Sequence, residues 1–162
     1  MNNSFIILAS GQSKRFKSDY PKQYNLYKNK QIYEHSVDKA IKSKLFKHII
    51  LVVNNKNLIK KKYPKIVKII KGGKERSVSS LISLKYIKKF RPKNVLIHDA
   101  ARPDFSNKLL KNLIANLKNN NAVIPYTKSK DSVKYKIKGQ LFNLDKNKII
   151  LTQTPQAFKF NV

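Results

Sequence analysis

Five short apolar runs, interleaved with stretches of helical spacing, most constrain what this chain can fold into. Phe5 to Ala9, His48 to Val53, Ile66 to Ile70, Asn94 to Ile97 and Ala122 to Ile124 are rich in β-branched residues and bounded by turn formers. That is the pattern of strands buried on both faces. Between them, Ile32, Ser36, Val37, Ala40 and Ile41 fall on one helical face, and Val78, Leu81, Ile82 and Tyr86 on another. Leu109, Leu110, Leu113, Ile114 and Leu117 form a third stripe, with Ser106 as the expected N-cap. Alternating strands and helices predict βαβ units, hence an α/β fold: a mostly parallel sheet with helices on both faces.

The pattern changes after Pro125. Asp131 to Ile137 alternates polar and apolar residues, Lys138-Gly139 reads as a turn, and Leu141 to Leu144 can pair back. This predicts a β-hairpin with two wet faces. A chain of 162 residues is the size of one domain, so the expectation is a single domain over 1–162 with residues 128–148 as an appended arm. With no cysteine, neither disulfides nor thiolate metal sites are available. The N-terminal apolar run is too short to span a membrane and lacks a signal peptide's basic start. A cytoplasmic protein is the simplest reading.

The chemistry-bearing residues gather at strand ends. His98-Asp99-Ala100-Ala101-Arg102-Pro103 follows Lys93 to Ile97, so Asp99 lies at the carboxyl end of a buried strand, where open α/β sheets bind ligands. Leu8-Ala9-Ser10-Gly11-Gln12-Ser13-Lys14-Arg15 follows the first strand, and Gly72-Gly73-Lys74-Glu75-Arg76 follows the third. A strand, a glycine-containing loop and nearby cations make a place where backbone N–H groups can face phosphate oxygens. Arg15 and Lys22 are near enough in sequence to hold a triphosphate there, and the Asp99 carboxylate suits a hard cation such as Mg²⁺. His35 and His48 lack metal-ligand spacing and read as structural or surface residues, and the tyrosines and phenylalanines read as core. His98 draws notice only through its neighbour Asp99.

The formal charge of +28 raises the possibility of nucleic-acid binding. Only four of the 36 basic residues are arginine, and the lysines are spread over nearly every segment. Arginine is the better residue for bidentate recognition of bases and phosphates, so the scatter argues for compositional drift over a dedicated nucleic-acid surface.

Taken in order, the Ala9 to Arg15 loop, Pro21-Lys22-Gln23-Tyr24, Gly72 to Arg76, His98 to Pro103 and Gln153-Thr154-Pro155-Gln156-Ala157-Phe158 resemble the 2-C-methyl-D-erythritol 4-phosphate cytidylyltransferases of non-mevalonate isoprenoid synthesis. The resemblance covers almost the whole chain. It implies a fold of the nucleotide-diphospho-sugar transferase type and transfer of CMP from CTP to methylerythritol phosphate, with Mg²⁺ as cofactor. It also implies a homodimer in which the hairpin arm reaches the partner subunit. By the same resemblance, Arg15 and Lys22 stabilise the pentavalent transition state and Lys146 positions the acceptor. Ala9, Ser10, Gly11, Gly72, Gly73, Ser79, Asp99 and Ala100 hold the nucleotide, with Asp99 also on the metal. Arg102, Asp131, Ser132 and Thr154 hold the sugar-alcohol phosphate. The chain departs from the family pattern at Ser13, where a second glycine is usual, and at Phe16, where methionine is usual. It also has Ser132 in place of threonine and Lys146 in place of arginine.

Members of that family continue beyond the Thr-Pro-Gln segment through further helices and a strand, which contribute another acidic metal ligand and an acceptor-contacting threonine and lysine. The 162 residues are therefore expected to correspond to the family's N-terminal part. Three rivals remain: a cytidylyltransferase acting on ribitol 5-phosphate, a non-catalytic basic protein that binds nucleic acid, and a folded but inactive remnant. Ala100-Ala101 favours the methylerythritol enzyme over the ribitol one.

Overall fold

The structure, a computed structural model, describes residues 2–11 and 21–160. Among these the strands are, in chain order, β1 Asn3–Ala9, β2 Leu26–Tyr27, β3 Lys30–Gln31, β4 His48–Val53, β5 Val67–Lys71 and β6 Asn94–Asp99. They continue with β7 Ala122–Val123, β8 Tyr126–Lys128, β9 Val133–Ile137, β10 Gln140–Leu144, β11 Ile150–Thr152 and β12 Gln156–Lys159. The helices are α1 Ile32–Ser43, α2 Arg76–Ile87 and α3 Asn107–Asn116.

A six-stranded sheet of order β5-β4-β1-β6-β12-β7 forms the body. β5, β4, β1 and β6 run parallel, and β12 is antiparallel to both β6 and β7. Because successive side chains on a strand alternate faces, β1 feeds two cores. Phe5, Ile7 and Ala9 pack with Tyr33, Val37 and Ala40 of α1 and Leu110, Leu113 and Ile114 of α3. Ile6 and Leu8 face the other way, with Ile50, Val52, Val95, Ile97 and Ile87 of α2. A strand covered on both faces is apolar at most positions, which is why β1, β4 and β6 read as near-continuous runs. β1 begins two residues earlier than its apolar run predicts. Its first residue, Asn3, is buried because its side chain accepts from Asn94 Nδ2 (2.9 Å) and donates to the Leu45 carbonyl (3.0 Å).

α3 starts as its sequence predicts, with Ser106 Oγ accepting from the Leu109 N–H at 3.1 Å. α1 is tied to the β4–β5 connection by Lys61, which reaches Asp38 (3.0 Å) and Glu34 (3.4 Å). α2 bears out half of the expected apolar stripe, Ile82 and Tyr86, which pack against the second core. Val78 and Leu81 are 42% and 52% exposed, and the buried positions are Ser79, Ser83 and Ile87. The serines suit a close approach of helix to sheet, since their hydroxyls are satisfied locally. Ser83 Oγ donates to the Ser79 carbonyl at 2.6 Å, and Ser79 Oγ bonds the loop before the helix.

The expected hairpin forms. β9 and β10 pair antiparallel from Val133↔Leu144 to Ile137↔Gln140. Lys138 and Gly139 turn the chain with positive φ (45° and 84°), the mirror-image turn that matches strand twist. Both faces are wet, with Tyr135, Ile137, Leu141, Phe142 and Leu144 each 40% exposed or more. Two pairings were not legible in the sequence. β8 joins β11 at the base of the arm, and β12, the Thr-Pro-Gln segment, enters the main sheet beside β6.

Candidate active site

The order of the main sheet sets where a ligand can sit. From β1 the chain passes through α1 to β4 on one side, then through α2 back to β6 on the other. The ends of β1 and β6 therefore flank a switch point, where the connections diverge and leave a crevice. Leu8 is in register with Asp99, and the Ala100 N–H donates to the Leu8 carbonyl at 3.0 Å. The loop after β1 and the Asp99 loop are thus neighbours by backbone pairing.

On the β1 side, the 3-10 turn Lys22–Tyr24 fastens the loop. Gln23 is buried and donates to the carbonyls of Ala9 (2.8 Å) and Gly11 (2.7 Å), while Tyr24 Oη donates to Ala9 at 3.2 Å. Burial, with Tyr33 beside it, pushes the Tyr24 phenol up to about 12, so it stays a donor at neutral pH. Lys22 is exposed at the start of this turn. Arg15, Ser13 and Phe16 lie outside the described residues.

Ser10, Ser79 and the two glycines close on one another. Ser10 Oγ and Ser79 Oγ are 2.7 Å apart, and the Gly73 N–H donates to Ser79 Oγ at 3.1 Å. A Cβ on Gly72 would lie 2.7 Å from Ser10 Cβ, and one on Gly73 would lie 2.9 Å from Val78 Cβ. Glycine is required at both positions by close approach. Gly11 has open space around it. Ser10, Asn54, Lys71, Gly72, Gly73 and Lys74 line a cavity of about 200 Å³. Glu75, the N-cap position of α2, makes no side-chain cap, so first-turn N–H groups of that helix remain available to an anion.

Asp99 joins the two sides. Arg76 Nε, from the first residue of α2, donates to Asp99 Oδ1 at 2.8 Å, and Arg102 Nε stands 3.9 Å from Asp99 Oδ2. Arg102 also donates to Gln153 Oε1 at 2.6 Å. Beyond it lies a cavity of about 630 Å³ lined by Arg102, Phe105, Tyr126, Gln153 and Thr154 among others. Beneath this surface His98 is fully buried, with Nδ1 3.0 Å from Thr154 Oγ1 and Nε2 3.2 Å from Ser36 Oγ. The Asp99 N–H donates to the same Thr154 oxygen at 3.3 Å. Burial pushes the His98 imidazole down to about 4, against the pull of the Asp99 carboxylate and the Arg102 backbone, so the ring is neutral near pH 7. His35 lies against the Tyr27 carbonyl and His48 stacks on Phe90, both away from this cluster.

The structure thus brings together Ala9, Ser10, Gly11, Gly72, Gly73, Ser79, Asp99, Ala100, Arg102 and Thr154. Ala100, expected beside the ribose, is fully buried and supports the turn. Asp131, Ser132 and Lys146 are exposed on the arm, with no hydrogen bond to the Asp99 cluster. Arg76, Gln23 and the Ser36–His98–Thr154 chain were missed by sequence reasoning. Arg76 and Gln23 lay inside recognised motifs, which was the available signal. Ser36 carried none, because it reads as a core position of α1. No group of three acidic or histidine ligands occurs among the described residues. A divalent ion at Asp99 would therefore need phosphate oxygens or water as its other ligands, as Mg²⁺ accepts, and not a cage of protein ligands.

Comparison with known proteins places this geometry in a family. The family model "IspD: 2-C-methyl-D-erythritol 4-phosphate cytidylyltransferase" matches residues 4–162. The chain is 52% identical over 162 residues to the bifunctional enzyme IspD/IspF of Pelagibacter ubique, covering 99% of this chain and 44% of that protein. It is 36% identical to the 2-C-methyl-D-erythritol 4-phosphate cytidylyltransferase of Lachnoclostridium phytofermentans, covering 97% of this chain and 70% of that one. Among solved structures, 4-diphosphocytidyl-2C-methyl-D-erythritol synthase from Anaerococcus prevotii superposes with a TM-score of 0.82 at 29% identity, over 98% of this chain and 71% of its own. The bifunctional IspDF of Campylobacter jejuni gives 0.84 at 29% identity, over 99% of this chain and 41% of its own. The chain thus spans less than half of the bifunctional relatives and about 70% of the single-function ones. With its sheet order, its strand-end motifs and the model match over 4–162 in agreement, the chain belongs to the 2-C-methyl-D-erythritol 4-phosphate cytidylyltransferase family of nucleotidyltransferases.

Proposed function

We propose that this protein transfers CMP from CTP to 2-C-methyl-D-erythritol 4-phosphate. A phosphate oxygen of the acceptor attacks the α-phosphorus, the bond from that phosphorus to the bridging oxygen breaks, and pyrophosphate leaves. The observation that carries this reading is the Arg76–Asp99 pair. It links the glycine loop before α2 to the end of β6, so that one crevice has a close-packed pocket on one side and an Arg102–Thr154 anion site on the other.

In this reading Ala9, Ser10, Gly11, Gly72, Gly73 and Ser79 hold the cytidine nucleotide, and Ala100 fixes the turn beside it. Lys22 and Arg15 stabilise charge on the α-phosphoryl group in the transition state, the term on which such transfers chiefly depend. Arg102 and Thr154 take the acceptor phosphate, while Asp131, Ser132 and Lys146 reach it from the arm of a second subunit. The dimer is supported by the exposed apolar side chains of that arm. Asp99 holds Mg²⁺ together with the triphosphate, and the ion supplies charge neutralisation there. Arg76, which donates to Asp99 at 2.8 Å, is the residue that would share this carboxylate with such an ion. A cytoplasmic location follows from the choice of a nucleoside triphosphate as substrate.

The test is pyrophosphate release from CTP and Mg²⁺ with methylerythritol phosphate and, separately, with ribitol phosphate. Release with the first acceptor alone is expected. Release with ribitol phosphate alone would overturn the acceptor assignment.

A further inference from the structure

We propose that His98 is a positioning residue whose tautomer, fixed by Ser36, turns the hydroxyl proton of Thr154 outward toward the acceptor's phosphate. The proposal rests on the reading of Thr154 as part of the acceptor site and assigns how that site acquires its polarity.

Thr154 Oγ1 has two lone pairs and one proton. The Asp99 N–H, which can only donate, occupies one lone pair at 3.3 Å. What remains depends on His98 Nδ1 at 3.0 Å. If Nδ1 carries the proton, it occupies the second lone pair, and the threonine proton is left to point into the cavity. If Nδ1 is bare, the threonine donates inward and presents a lone pair outward, which repels an anion.

Ser36 biases the choice between these arrangements. It is fully buried on α1, with Oγ 3.2 Å from His98 Nε2. A buried hydroxyl that fails to donate is costly, and serines in helices usually donate to a carbonyl of the preceding turn. Other serines here do so. Ser83 donates to Ser79 (2.6 Å), Ser80 to Arg76 (2.9 Å) and Ser43 to Ala40 (2.7 Å). Ser36 makes no such bond, and its contact is Nε2. Its proton therefore goes to Nε2, which makes Nε2 the acceptor and places the ring proton on Nδ1.

The ring has little freedom to turn. It lies 5.9 Å from the Phe5 ring, and Phe105 packs edge-on at 4.6 Å. Lys39 pins the surrounding loop by donating to the Pro103 carbonyl at 2.6 Å. The outcome is a pocket wall with two donors, the Arg102 guanidinium and the Thr154 hydroxyl, and that pair fits a phosphate monoester.

The experiment is a long-range ¹H–¹⁵N correlation spectrum of the folded chain. It reports which nitrogen of each of the three histidines carries hydrogen, and binding of methylerythritol phosphate is measured alongside by calorimetry. His98 is expected as the Nδ1–H tautomer. Ser36→Ala is expected to populate the other tautomer and to weaken phosphate binding roughly ten- to a hundredfold, the scale of one charged hydrogen bond, with CTP affinity unchanged. An Nε2–H tautomer in the parent overturns the proposal, as does a Ser36→Ala variant with both tautomer and acceptor affinity unaltered. Thr154→Val separates the underlying reading. If it binds methylerythritol phosphate as the parent does, Thr154 is not at the acceptor site, whatever the tautomer.

Discussion

At Gly72 a methyl group would meet Ser10 Cβ and Oγ at 2.7 Å and Ser79 Oγ at 2.8 Å, so this position admits no side chain without opening the Ser10–Ser79 contact. Gly72→Ala is expected to cost about 1–3 kcal/mol of stability, the usual range for overpacking, and to weaken CTP binding. Denaturant unfolding and calorimetry read the two effects, and unchanged stability would mean the loop is looser than it looks. His98 makes a separate prediction. Its pKa falls from 6.5 to about 4 on folding, so below pH 6.5 the unfolded chain takes up the proton first. Its contribution is present above pH 6.5 and is lost as pH falls toward 4, by on the order of 3 kcal/mol. Replacing it by glutamine should flatten that acid limb, and an unchanged slope would contradict the buried, neutral ring. Residues such as Asp99, Gly72 and Gly73 were legible because strand ends and glycines have few other reasons to cluster. Arg76 was not, because its partner lies 23 positions away and is found only once β6 is placed beside β1.

At the scale of elements, β1, β4 and β6 announced themselves, since strands buried on both faces are apolar at most positions, with Asn3, Ser4, Asn94 and His98 as buried polar exceptions. α2 did not, because the sheet side of that helix is built from serines whose hydroxyls are satisfied locally. Hydrophobicity alone therefore found Ile82 and Tyr86 but missed the serines and took in exposed Val78 and Leu81. β12 was hidden for a different reason. A four-residue strand is held by its neighbours β6 and β7 more than by its own pattern. The hairpin β9–β10 was plain in both alternation and turn, and its exposed apolar residues lead to a prediction about assembly. Leu141 and Phe142 are 62% and 48% exposed. Changing both to serine should leave stability within about 0.5 kcal/mol, as surface changes do, while shifting the protein toward monomer in sedimentation. A variant as dimeric as the parent would remove the arm from the interface.

Over the whole molecule, a charge of +28 surrounds a crevice in which the Asp99 carboxylate is paired with arginine. Such a field draws any polyphosphate, so binding of CTP by itself says little. What separates a cytidylyltransferase site from a basic surface is selectivity and its dependence on Asp99. The most direct measurement is calorimetric binding of CTP, UTP, ATP and GTP, with and without Mg²⁺, to the parent and to Asp99→Asn. CTP should bind the parent best, be strengthened by Mg²⁺, and lose that strengthening in the variant. Equal binding of all four nucleotides, unaffected by Asp99→Asn and weakened only by salt, would contradict the site and leave a protein that binds polyanions by charge alone.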